Sequence, residues 1–156
     1  MAYLELLRQV EQRIRTNKGR LQGPCEFESF GRLKTKSESE LGSDLKSSFV
    51  RFLQRTNGFY WNHVYIFGSE TCESSTQPGI VIPGFIQANL DYRRKDARFL
   101  NYLVFGKSSH DQFLFAYKIR LHEYQIIQES HDQIVDKVKS FDDMIAQALK
   151  RSLFAH

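Results

Sequence analysis

The stretch Leu41-Gly-Ser-Asp-Leu-Lys-Ser-Ser-Phe-Val-Arg-Phe-Leu-Gln-Arg-Thr-Asn-Gly58, followed within two residues by Tyr60-Trp-Asn-His-Val-Tyr-Ile-Phe-Gly68, decides the fold. Four large apolar residues in its first part recur at helical spacing, namely Leu45, Phe49, Phe52 and Leu53. This spacing predicts an amphipathic helix, and Asn57-Gly58 supplies its stop because glycine adopts the left-handed conformation of a helix terminus. The aromatic and β-branched residues that follow favour a strand over Tyr60 to Gly68.

The N-terminal segment predicts another helix, of about four turns. Its apolar residues form one stripe, made of Tyr3, Leu6, Leu7, Val10 and Ile14. Asn17 to Pro24 contains Lys-Gly and Gly-Pro pairs that resist helix continuation. Glu26 to Ser43 is rich in Ser, Glu, Lys and Gly, and we interpret it as a loop or a weak edge element.

The middle of the chain mixes loop and helix signals. Glu70 to Pro78 has no hydrophobic period, which predicts an exposed loop. Ile80 to Ile82 is predicted to be a short extended segment. Phe85 to Arg98 begins after Pro-Gly and is predicted to be a helix with basic residues in its later part.

The C-terminal half predicts consecutive short strands and a closing helix. Strands are expected at Tyr102 to Phe105, Phe113 to Ile119 and Glu123 to Gln128, with Gly106 to Gln112 as a polar hairpin loop. Short strands joined by short loops indicate an antiparallel meander. Ser140 is placed to cap the last helix, whose apolar stripe is Phe141, Met144, Ile145, Ala148, Leu149 and Leu153.

These elements predict an α+β fold in which an antiparallel meander sheet is packed by N-terminal and C-terminal helices. The 156 residues, 41% of them hydrophobic, suit one domain spanning residues 1–156 without metals or disulfides. The 13% aromatic content favours a substantial sheet.

The charge and the cysteines restrict the class of partner. A formal charge of +4 and a pI near 9.1 permit an acidic partner, but no nucleic-acid-binding motif accompanies the basic residues, so no nucleic-acid partner is expected. Cys25 and Cys72 are too far apart for a redox or metal motif and are interpreted as ordinary thiols. The sequence shows neither a signal-peptide pattern nor an apolar run of about 18 residues, so we expect a cytoplasmic protein without a membrane partner.

No constellation of residues predicts catalysis, a metal or a cofactor. His63, His110, His122 and His131 lack the spacing that places two imidazoles on one metal. Asp142-Asp143 is explained by the start of a helix, and Gly106-Lys107-Ser108 lacks the upstream glycine of a phosphate-binding loop. Trp61 suits either the core or an exposed binding anchor, and the core is favoured. We therefore expect a protein that is not an enzyme.

The helix, its Thr-Asn-Gly stop and the Trp-Asn-x-Val-Tyr-Ile-x-Gly segment resemble the YrhA-like branch of the SMI1/KNR4 superfamily, often called SUKH. The resemblance continues in Pro83-Gly-Phe-Ile-Gln-Ala-Asn89, in Tyr102-Leu-Val-Phe-Gly106 and in the closing helix, and it covers roughly residues 41 to 153. The chain departs from the pattern at Leu41-Gly42, where the family usually has Leu-Pro, and at His63, where glycine is usual.

The resemblance implies an immunity protein that binds and neutralises a cognate bacterial toxin without catalysis. It also implies a binding surface on a concave sheet face and its bordering loops. The candidate partner-binding residues are Glu70, Glu73, Tyr92, Arg93, Arg94, Lys95, Arg98, Lys107, His110 and Asp111. The basic cluster among them consists of Arg93, Arg94, Lys95 and Arg98. It favours an acidic toxin surface, although a solvated helix face explains it equally well.

Two other functions stay open at this point. One is a regulatory or scaffold module that binds a host protein, as the resemblance to eukaryotic members of the superfamily implies. The other is a hydrolase or nuclease, which needs a carboxylate or histidine cluster that the sequence does not contain.

Overall fold

A computed structural model describes residues 2–154 of the chain. Its five α-helices are α1 (Leu4–Thr16), α2 (Phe27–Lys36), α3 (Ser47–Arg55), α4 (Phe85–Lys95) and α5 (Phe141–Phe154). A π-helical turn at Ser37–Leu41 extends α2, and a 3-10 helix at Ala97–Asn101 follows α4. The strands are β1 (Phe59–Trp61), β2 (Val64–Ile66), β3 (Cys72–Glu73), β4 (Val81–Ile82), β5 (Tyr102–Ser108), β6 (Phe113–Lys118), β7 (Glu123–Gln128) and β8 (Ile134–Val138).

The main sheet has six strands in the order β1-β2-β5-β6-β7-β8, and every neighbouring pair is antiparallel. Strands β5 to β8 form a meander, whereas β2 reaches β5 only after the chain has passed through β3, β4 and α4. The short pair β3-β4 forms a separate two-stranded sheet. The predicted α+β class, with an antiparallel sheet and helices at both ends, is confirmed.

The helices predicted from apolar periodicity are present. In α1 the side chains of Leu7, Val10 and Ile14 are buried, and in α3 those of Phe49, Phe52 and Leu53 are fully buried. The Ser140 Oγ accepts a hydrogen bond of 3.1 Å from the backbone N–H of Asp143, which caps α5 as predicted. Helix formation at these places follows from the apolar stripe that each helix buries.

The predicted single strand from Tyr60 to Gly68 is wrong, because the chain folds there into the β1-β2 hairpin. Asn62 and His63 form its turn with φ of 46° and 68°, the two positive values that a two-residue type I′ turn requires. Glycine is the usual second residue of such a turn. Because histidine occupies position 63, the turn was not recognised within a run of strand-forming residues.

Helix α3 ends at Arg55, and Thr56 is already extended. Gly58 therefore serves the following turn, where its φ of +88° is left-handed and its Cα lies close to Gly68. The Asn57 side chain fixes this crossing, because its amide oxygen accepts from the Ser69 N–H at 2.8 Å and its amide nitrogen donates to the Ser69 hydroxyl at 2.9 Å.

One face of the sheet packs against α3 and α5. The Phe105 ring lies 5.0 Å from Phe49 of α3 and 5.3 Å from Phe141 of α5, measured between centroids. Cross-strand register places Phe115 and Ile126 opposite each other, and both are fully buried. Burial of such side chains stabilises the domain by about 1.5–3 kcal/mol each.

Strand β2 ends before β5 does, so part of β5 has no neighbouring strand on that side among residues 2–154. Helix α4 packs at this place. The buried Asn89 side chain donates to the Val104 carbonyl oxygen at 2.8 Å and accepts from the Val104 N–H at 2.7 Å. One amide thus replaces a missing strand neighbour. Further along β5, Gly106 lies opposite Ile66, and any Cβ there would collide with the Tyr65 carbonyl oxygen.

Three further expectations are corrected. Glu26 to Ser43 is helical, since Leu33 and Leu41 provide buried contacts that hold α2 and the π-helical turn. The Glu70 to Pro78 segment is only partly an exposed loop, because β3 pairs with β4 and both Ser74 and Thr76 are buried. The hairpin loop after β5 is shorter than predicted, because β5 continues to Ser108.

Candidate functional site

Three of the candidate residues line one cleft, which we call the α4 cleft. Tyr92 and Lys95 come from α4, and Lys107 comes from β5. The cleft has a volume of about 130 Å³ and is completed by Phe67, Pro83, Ala88, Asp91 and Glu129. The end of α4 and the strand residue Lys107 therefore lie side by side in the fold.

Aromatic rings border this cleft on the sheet. Lys107 lies opposite Tyr65 in the β2-β5 register, and its Nζ is 4.8 Å from the centroid of that ring. The Tyr65 ring in turn lies 4.7 Å from the Tyr60 ring. A lysine held over an aromatic face is stabilised by about 0.5–1 kcal/mol at an exposed site.

The phenols at this cleft stay neutral at physiological pH. Burial raises the pKa of Tyr92, and the nearby carboxylates of Glu129 and Asp91 raise it further. Burial also raises the pKa of Tyr65. The cleft therefore offers uncharged hydroxyl groups beside two lysines and two carboxylates, a mixed surface that suits a polar protein contact.

Two arginines of the predicted basic cluster are engaged within the chain. Arg93 donates to the Leu41 carbonyl oxygen at 3.1 Å and to the Tyr102 carbonyl oxygen at 3.2 Å, and burial lowers its pKa. Arg98 donates to the carbonyl oxygens of Gln128, Glu129 and His131, and its side chain is only 15% exposed. Both guanidinium groups connect the α4 region to the rest of the fold.

The other two members of the cluster face solvent. Arg94 is exposed and pairs with Asp91 at 3.2 Å, and Lys95 is exposed at the end of α4. Four neighbouring basic residues thus have two different roles. Only Arg94 and Lys95 offer their charge to a partner.

The remaining candidates lie in separate places. Asp111 forms an ion pair of 3.1 Å with Arg151, and the His110 ring lies 6.0 Å from that of His63. Glu70 pairs with Arg32 at 3.0 Å, at a second cleft of about 280 Å³ between α2 and α4. Glu73 is exposed on β3. These four residues do not join the α4 cleft.

Trp61 packs against the core and is half-buried. Its Nε1 is buried and has no hydrogen-bond partner among residues 2–154. The favoured assignment of this ring to the core is consistent with the contacts.

A second basic surface was not predicted, because β8 itself was not recognised in the sequence. An open groove of about 340 Å³, which we call the β8 groove, lies between β8 and α5. Its lining residues are Lys137, Val138, Lys139, Asp143, Ala146, Gln147 and Lys150. Lys139 and Lys150 meet here from elements that are separate along the chain.

Within residues 2–154, no three His, Cys, Asp or Glu side chains are grouped so that they could hold a metal ion. The same residues include no helix with the length and apolar character needed to cross a membrane. No protein-family model matches the chain, and a search of curated proteins found no significant match.

Proposed function

We propose that this protein is an immunity protein that binds a cognate bacterial toxin and neutralises it by forming a stoichiometric complex. One observation carries the proposal. Residues that resemble the SUKH signature connect separate elements of this fold. Asn57 accepts a hydrogen bond from the Ser69 N–H, Gly58 has a left-handed backbone, and Asn89 accepts a hydrogen bond from the Val104 N–H. The residues on which the resemblance rests therefore position the sheet and α4 in this chain.

The α4 cleft is the contact surface that we favour. Tyr65, which lies beneath Lys107 at the border of the cleft, provides aromatic area of the kind enriched at binding hot spots, and Lys95 and Lys107 provide charge for partner selection. Asn89 and Arg93 fix α4 to the sheet and to the carbonyl oxygen of Leu41. A surface fixed in this way loses little conformational entropy on binding.

Copurification tests the proposal directly. The full chain, tagged and expressed in its native strain, should recover a toxin domain in equal amount, identified by mass spectrometry, and should relieve the toxicity of that domain when the two are coexpressed. A toxin gene adjacent in the genome supports the immunity function over a regulatory or scaffold module. Purified protein that hydrolyses a nucleic acid or a nucleotide by itself contradicts the proposal.

Charge reversal then tests the surface. Lys95→Glu combined with Lys107→Glu should slow association with an acidic toxin about tenfold and leave the fold intact, because both side chains are at the surface. Arg51→Glu is the matched control, because Arg51 is an exposed cation on α3, away from the α4 cleft lining. Equal effects of the double variant and the control would exclude the α4 cleft as the contact surface.

A further inference from the structure

We propose that the outer edge of β8, with the β8 groove beside it, is a docking site for an extended acidic segment of a protein partner. The segment would add to the sheet as a seventh strand and place its carboxylates near Lys139 and Lys150. The inference rests on the proposed function in so far as the partner is the toxin.

The first step of the argument is the open edge. Strand β8 is the last strand of the sheet and pairs with β7 from Tyr124 opposite Val138 to Ile127 opposite Ile134. No strand within residues 2–154 pairs with its other side. Alternate residues of an edge strand turn their N–H and C=O groups outward, where they can pair with an added strand.

The second step is the apolar character of this edge. The side chains of Ile134 and Val135 are 41% and 38% exposed. β-Branched side chains on a strand contribute roughly 0.2–1 kcal/mol to each cross-strand pair. An incoming strand would therefore gain side-chain contacts in addition to backbone hydrogen bonds.

The third step is the charge next to the edge. Lys139 and Lys150 both line the β8 groove, and neither forms an ion pair within residues 2–154. Lys137 is 3.8 Å from Glu123, Asp143 is the only acidic residue of the lining, and the Asp136 carboxylate on β8 accepts a hydrogen bond of 3.3 Å from Gln147. Lys139 and Lys150 are therefore the two cations that select a segment carrying Asp or Glu.

Lysines on an edge strand can also serve to prevent aggregation. That explanation covers Lys137, which is on β8, but it does not cover Lys139 and Lys150, which lie outside the strand. The irregular register at Val135 can also discourage edge pairing, but the exposed β-branched side chain of Ile134 promotes it. A binding edge explains Ile134, Lys139 and Lys150 together.

The same features favour an acidic peptide over other occupants. A second copy of the chain paired through β8 would bring its own Lys137 and Lys139 together with Asp136, so it carries less complementary charge than an acidic segment does. A nucleic acid would use the lysines but not the backbone groups of the strand. Only an acidic extended segment uses the edge, the apolar side chains and the charge together.

The test uses the full chain, labelled with ¹⁵N, and the synthetic peptide acetyl-Thr-Glu-Val-Asp-Val-Glu-Thr-amide. We expect amide shifts confined to β8 and to the part of α5 around Lys150, together with slower amide exchange along β8. Two control peptides separate the contributions. One has Lys at the three acidic positions, and the other keeps the acidic sequence but has every backbone nitrogen methylated, so that it cannot donate to the sheet.

Charge reversal in the protein completes the test. Lys139→Glu combined with Lys150→Glu should weaken binding of the acidic peptide at least about tenfold, whereas Lys34→Glu, at an exposed lysine of α2, should leave it unchanged. Circular dichroism and thermal unfolding check that both variants fold like the parent protein. Restored binding of the lysine peptide to the double variant would add further support.

Several results would overturn the inference. They are equal binding of the acidic and lysine peptides, undiminished binding of the methylated peptide, amide shifts outside β8 and α5, self-association through β8, or tighter binding of a short single-stranded DNA in the groove.

Failure of this site is distinct from failure of the proposed function. A toxin that copurifies but leaves the β8 amides unprotected excludes only the docking site, and β8 binding without any recovered toxin excludes only the immunity function.

Discussion

The two edge strands of the main sheet, β1 and β8, differ in the contacts that their outer sides make. At β1, the Thr76 hydroxyl donates to the Tyr60 carbonyl oxygen at 2.7 Å, and the Asn62 amide donates to the Ser152 carbonyl oxygen at 2.7 Å. At β8, the residues from Ile134 to Lys137 are all exposed. The Thr76 hydroxyl thus satisfies one carbonyl of β1, and the Asn62 side chain joins the β1-β2 turn to α5, whereas no strand within residues 2–154 pairs with the outer side of β8.

Asn89 plays the same part inside the sheet. Its side chain forms hydrogen bonds with the N–H and the carbonyl oxygen of Val104, at the place where β2 no longer pairs with β5. The contrast teaches that backbone groups at covered edges contribute to stability, whereas the open edge of β8 should contribute little, and the following substitutions test that difference.

The largest effect is expected from Asn89→Ala. It leaves the buried N–H and C=O of Val104 without partners, which should lower the free energy of unfolding by about 2–4 kcal/mol. Urea denaturation measures the change. Gln87→Ala, at an exposed position of the same helix, should change it by less than about 0.5 kcal/mol, and equal losses in the two variants would show that Asn89 has no special role.

Thr76→Val tests the cover of β1 with almost no change in side-chain volume. Loss of the hydroxyl removes the bond to the Tyr60 carbonyl oxygen and should lower the free energy of unfolding by about 1–2 kcal/mol. Thr35→Val is the control, because its hydroxyl bonds a carbonyl on the exposed face of α2. Thermal unfolding of both proteins should separate them, and a control loss as large as that of Thr76→Val would contradict the covered-edge argument.

His63→Gly should increase stability by about 0.5–1 kcal/mol. The residue has a φ of +68° in the β1-β2 turn, a conformation that costs an L-residue about 1–2 kcal/mol and costs glycine almost nothing. His63→Ala removes the imidazole but keeps the Cβ, so it should show no gain. Chemical denaturation of the two variants distinguishes relief of backbone strain from loss of the ring, and a similar gain in both would refute the strain.

The smallest effect is expected from Ile134→Thr on the open edge. Because this side chain is 41% exposed, the free energy of unfolding should fall by no more than about 0.5 kcal/mol. Ile127→Thr, at the buried residue directly opposite in the register, should cost about 2–3 kcal/mol. A large loss at Ile134 would mean that β8 is part of the core and not a free edge.

Elements with an unbroken apolar period were predictable from the sequence. Helices α1, α3, α4 and α5 and strands β5, β6 and β7 were anticipated, because each buries large side chains at regular spacing. Strand β8 was missed because exposure of Ile134 to Lys137 removes any alternation between buried and exposed positions. Helix α2 was missed because Phe27 is 91% exposed and Leu33 is its one buried residue.

The candidate site was predictable only in part. The resemblance implied that Tyr92, Lys95 and Lys107 belong to one binding surface, and all three line the α4 cleft. Nothing in the sequence distinguishes Arg93 from Arg94. The difference arises because two carbonyl oxygens, those of Leu41 and Tyr102, lie within reach of only one of the two guanidinium groups, and that depends on tertiary packing.

The contact between α1 and α5 has a consequence for biosynthesis. Arg13 near the end of α1 donates to the Leu153 carbonyl oxygen, a partner 140 residues further along the chain. At translation rates of about 5–20 residues per second, synthesis of the 140 residues between them takes roughly 7 to 28 seconds. The apolar stripe of α1 therefore waits for its contact with α5 over this interval, and the native state is completed only after synthesis has passed α5.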